Sequence, residues 1–106
     1  MTALSVAAST FPFLYSRDGL DALKHLRGLG FDAFEMMIFP PHCWPRELSV
    51  AQRRETKAWL NGEGARLTSF CYPLLDNNPN GVDRLMRAYT LDRYREAIDL
   101  AAEWSC

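Results

Sequence analysis

A strand-like apolar run, a long loop, an amphipathic helical stretch and a glycine turn follow one another three times along this chain. The strand-like runs are Leu4–Ser9, Ala33–Ile38 and Leu67–Tyr72. They begin roughly 30 residues apart, the length of one βα unit. Helical stretches are expected over about 18–28, 49–61 and 83–104. Asp18 opens the first, with Leu20, Leu23 and Leu26 at helical spacing along its buried side, and Gly28 and Gly30 end it. Ser49 and Gln52 match a capping box for the second, which Asn61-Gly62-Glu63-Gly64 stops. In the third, Leu91, Tyr94, Ile98 and Ala101 form the apolar stripe.

The pattern implies an α/β fold with parallel strands. A (β/α)8 barrel needs eight such units and about 250 residues, so the 106 residues read as its first three βα units, an incomplete TIM barrel within a single domain. The first strand, built of small apolar residues, is expected to be buried on both faces. The unfinished sheet and the missing helix cap before Cys106 predict a chain that stops short of the full barrel.

Composition narrows the function. With 48% hydrophobic and 24% charged residues the chain is expected to be globular rather than disordered. A net charge of −1 offers no basic footprint for nucleic acid. No apolar run reaches the ~18 residues of a membrane span, and the start lacks the pattern of a secretory signal. Cys43, Cys71 and Cys106 show no metal or redox spacing. A reduced, cytoplasmic protein is expected.

The strand-to-helix loops are long and the helix-to-strand turns short. In parallel α/β folds the ligand sits beyond the carboxyl ends of the strands, on those longer loops. They carry Phe11, Phe13, Tyr15, Phe39, His42, Trp44, Asp76, Asn77 and Asn78. Aromatic faces beside amide groups suit a small polyhydroxylated ligand, which presents C–H faces and hydroxyls together. The candidate substrate-binding residues are Glu35, Phe11, His42, Trp44, Tyr72 and Asn77. Glu35 alternates with Phe34 and Met36; on an inward face it becomes either a pocket contact or an interior carboxylate paired with a basic group from another strand. His25 is expected to face solvent, and Cys71 to be a core thiol. No residue here is read as catalytic or as a metal ligand, and no glycine-rich phosphate cradle is present.

The run Gly28-Leu29-Gly30-Phe31-Asp32-Ala33-Phe34-Glu35 resembles the "G-(F/Y)-D-x-x-E" second-strand signature of the xylose isomerase-like barrels. Asn78 through Arg84, and Tyr94 through Glu103, are similar to the third unit of the same enzymes. The resemblance implies an N-terminal segment of a sugar or sugar-phosphate isomerase or epimerase. It further implies a divalent metal ion (Mn, Mg, Co or Zn) in the intact barrel, assisting proton transfer next to a carbonyl. Metal ligands and proton-transferring glutamates come from later strands in that family. This segment alone is therefore expected to bind no metal and to be inactive, and Glu35 and Arg84 to be structural or pocket-lining. The expected partner is a sugar or polyol, with neither nucleic acid nor membrane. Two alternatives stay open: a non-catalytic protein that pairs its open sheet edges as a homo-oligomer, and the endonuclease IV branch, against which Tyr72 argues.

Overall fold

The computed structural model describes residues 3–73 and 77–106. Three strands and three α-helices alternate: β1 (Ala8–Ser9), α1 (Gly19–Gly28), β2 (Ala33–Met37), α2 (Val50–Glu63), β3 (Arg66–Cys71) and α3 (Arg84–Glu103). The strands form one parallel sheet in the order β1-β2-β3, so each helix is a crossover between, or follows, parallel neighbours. Short 3-10 turns at Phe11–Phe13 and Pro45–Glu47 interrupt the first two strand-to-helix loops. Asp76, among the expected loop residues, lies outside the described residues.

Local chemistry sets the helix ends. Asp18 accepts the backbone N–H of Asp21, and Ser49 and Gln52 make the reciprocal capping box. The second helix runs through Gly62 and stops at Gly64, whose φ of 60° is the left-handed conformation that glycine adopts without steric cost.

One face of the sheet meets all three helices. Phe34, Met36, Ile38 and Leu67 pack with Leu23 and Leu26 of α1, Leu60 of α2, Ala97 and Leu100 of α3, and Trp104. Alternation along β2 turns Glu35 to the other face. In β3 a register shift falls between Phe34↔Leu67 and Glu35↔Ser69, leaving Thr68 as the extra residue. The bulge lets Leu67 and Phe70 both reach the core side, while Ser69 pairs with Glu35 on the other.

Several expectations are corrected. The first strand is two residues long rather than spanning Leu4–Ser9, with Leu4 92% and Val6 62% exposed. An apolar run becomes a buried strand only where something covers it, and β2 reaches only Ala8 and Ser9. The third helix buries Thr90, Arg93, Ala97 and Leu100, one residue round from the expected stripe, because Trp104 docks edge-on against Phe70 at 6.0 Å. Leu91 and Ile98 are therefore exposed. His25 is half-buried against the Phe13 ring at 5.1 Å. Cys71 is only partly covered and lies on the Glu35 side of the sheet.

Candidate functional site

The loops beyond the carboxyl ends of β2 and β3 enclose a cleft of about 130 Å³ lined by Ile38, Phe39, Pro40, Trp44, Pro73, Asn77 and Tyr89. Proline-rich backbone fixes the β2 side. Behind the lining, Tyr72 packs against Trp44 with ring centroids 5.8 Å apart and against Tyr94 at 5.1 Å. The Asn77 side-chain amide donates to the Tyr72 hydroxyl at 3.2 Å. Among the described residues its buried carbonyl oxygen Oδ1 has no hydrogen-bond partner. Burial, with Tyr89 next, pushes the Tyr72 phenol up to about 12 in spite of Arg93 nearby; at neutral pH it remains a protonated hydroxyl that accepts from Asn77. Three of the candidate residues, Trp44, Tyr72 and Asn77, thus come together.

The other three separate. Phe11 is 60% exposed at the start of the first loop. Glu35 lies on the helix-free face of the sheet, accepting from the Ser9 hydroxyl at 2.9 Å and the Ser69 hydroxyl at 3.4 Å. His42 is buried, 3% exposed, and its ring joins the first two loops. Nδ1 lies 2.7 Å from the Arg17 carbonyl oxygen and Nε2 lies 2.9 Å from the Thr10 hydroxyl. A carbonyl only accepts, so Nδ1 carries a proton. Thr10 Oγ1 also accepts the Met37 backbone N–H at 3.0 Å. Both ring nitrogens are thereby engaged by the chain's own atoms.

Three contributors escaped the sequence reading. Thr10 joins the first loop to β2 and His42, Tyr89 closes the cleft from α3, and a pair of arginines meets Glu96. Glu96 Oε1 receives Arg46 Nε at 2.8 Å and Arg93 Nη2 at 3.0 Å. Arg93 is buried and stacks on Tyr89, its guanidinium carbon 4.8 Å from the ring centroid. Nothing local marks Arg93 as interior; only the docking of α3 does. Among the described residues, no group of three or more His, Cys, Asp or Glu is placed to hold a metal ion. Among the same residues no helix is long and apolar enough to cross a membrane.

Compared with known proteins, the chain matches no family model and no curated protein.

At Cys43, next to His42 in the chain, burial and then the charge of Asp18 push the thiol up to about 12. An unfolded thiol ionises near about 8.5. Between those values the unfolded chain has released a proton that the folded chain keeps, so stability falls as pH rises from about 9 toward 12. The urea midpoint is expected to drop over pH 9–11 (roughly the lower part of that window), and less steeply in Cys43→Ala. Equal slopes for the two proteins would remove Cys43 as the cause.

Proposed function

We propose that this chain builds one wall of a binding pocket for a small polyhydroxylated compound, in a barrel of the isomerase or epimerase type. The observation that carries the reading is the cleft beyond the ends of β2 and β3, with Trp44 and Asn77 among its lining residues. That is where parallel α/β folds place their ligands. An indole face beside a fixed amide offers a C–H surface and hydrogen-bonding groups together. The resemblance of the Gly28–Glu35 run to the second-strand signature of sugar isomerases supports the same substrate class. The gathered residues bind and orient: Tyr72 fixes the amide, and Tyr94 and Trp44 fix Tyr72. Proton transfer next to a carbonyl is not assigned to any of them.

Titrating the 15N-labelled chain with xylitol tests the reading. Saturable shifts are expected at the Trp44 indole N–H and the Asn77 side-chain amide, and their loss in Trp44→Ala. Shifts that persist unchanged in that variant, or no saturable shift in the parent chain, would sink it.

A further inference from the structure

Three charged side chains run in a line that joins two aromatic residues of the cleft. Trp44 comes from the loop after β2 and Tyr89 from α3, and both line the cleft. Arg46 follows Trp44 across one proline, in a 3-10 turn where the Glu47 N–H donates to the Trp44 carbonyl oxygen at 2.9 Å. Pro45 fixes the backbone between them, so Trp44 and Arg46 are held as one piece. On α3, Tyr89, Arg93 and Glu96 share a helix face, each three or four residues from the next. Arg46 Nε reaches Glu96 Oε1 at 2.8 Å, and the same oxygen takes Arg93 Nη2 at 3.0 Å. The Arg93 guanidinium lies 4.8 Å from the Tyr89 ring centroid. Arg93 is buried while Tyr89 is half exposed, so a fixed base carries an open ring. The cleft lining itself carries no charged side chain among the described residues.

We propose that Tyr89 is a second aromatic contact for the ligand, and that Arg46, Glu96 and Arg93 are positioning residues that set its distance from Trp44. The inference rests on the polyol reading and deepens it. Dispersion falls steeply with distance: a gap of about 0.5–1 Å forfeits a quarter to a half of a contact. The spacing of the two rings therefore decides how well the C–H surface of a polyol is held. An uncharged polyol has no Coulomb attraction to the cleft for salt to screen. Salt acts on its binding through the ion pairs of the protein, and in this line Arg46 is the exposed link, with 56% of its side chain accessible.

The test measures xylitol affinity by the Trp44 indole shift of the 15N-labelled chain, at about 50 mM and about 1 M NaCl. Tyr89→Ala is expected to weaken binding about fivefold or more. Arg46→Gln, an exposed change that the fold tolerates, is expected to weaken it about threefold at low salt. High salt is expected to weaken binding by the parent chain toward the level of that variant, and to leave the variant nearly unchanged. Arg46→Lys restores the charge and with it part of the affinity and the salt dependence. Arg95→Gln breaks an exposed ion pair of the same helix, with Asp92, that lies outside this line; it is expected to bind like the parent. Undiminished binding by Tyr89→Ala, the same salt dependence in the parent and Arg46→Gln, or an equal loss in Arg95→Gln would each overturn this inference and leave the polyol reading standing. No saturable response of the parent chain at either salt would overturn both.

Discussion

Thr10→Val is expected to lower the stability of the chain by about 3 kcal/mol, because it leaves two buried polar groups without partners. Thr10 is 0% exposed, and valine nearly matches its volume, so the change isolates the hydroxyl. That hydroxyl accepts the Met37 N–H and faces His42 Nε2. His42 cannot compensate by moving its proton, since Nδ1 must still donate to the Arg17 carbonyl. Thr10→Ser, which keeps the hydroxyl and loses a buried methyl, is expected to cost about 1 kcal/mol. Urea unfolding measures both. A typical domain has only ~5–15 kcal/mol in total, so the valine variant loses a large share. If Thr10 and His42 act as one latch, Thr10→Val combined with His42→Ala destabilises by clearly less than the two single effects added. Strict additivity would show that the two contacts are independent.

Glu96→Gln is expected to destabilise by about 2 kcal/mol and to cost more than Arg93→Met, although both remove the same ion pair. The asymmetry follows from burial. Arg93 is 4% exposed, its Nε has no partner among the described residues, and Glu96 supplies its counter-charge. Without that carboxylate a guanidinium is left in a poorly solvated site with the Tyr89 ring beside it, a contact of about 1 kcal/mol. Arg93→Met removes the charge together with its desolvation cost and keeps most of the packing volume. Glu96, with 30% of its side chain exposed, is then solvated and still paired with Arg46. That same exposure holds the Glu96→Gln figure below the range for a fully buried pair. Combining both changes is expected to recover part of the Glu96→Gln loss in urea unfolding. A larger loss for Arg93→Met would mean that Arg93 matters for its packing on Tyr89 and not for its charge.

These two clusters mark the limit of what the chain reveals one residue at a time. His42 was legible as a functional-loop histidine, yet its partner Thr10 is 32 positions away, and only the pairing of β1 with β2 brings them together. Trp44, Tyr72 and Asn77 were legible only as members of a set of six that also held Glu35, Phe11 and His42, because sequence places long loops at one end of a parallel sheet without saying which of their side chains meet. Their neighbour Tyr89 was not, because it reads as one more aromatic on a helix.

The sequence by itself determined the alternation of strands and helices, helix starts at Asp18 and Ser49, and a stop for the second helix within Asn61–Gly64, where the helix in fact runs on to Glu63. Each of these depends on groups within a few residues of one another, so hydrophobic period, side-chain-to-backbone hydrogen bonds and glycine's freedom suffice to specify them. Tertiary structure alone decided three other matters. It shortened β1 to the two residues that β2 pairs with. It inserted Thr68 as a bulge so that Leu67 and Phe70 share the core side, although the three-residue spacing of those two apolar groups was a readable hint. It turned α3 to bury Arg93 and expose Ile98. An amphipathic pattern says that a helix has a buried side, but where two candidate stripes lie one residue apart, the contacts of Trp104 and Leu100 with distant strands choose between them.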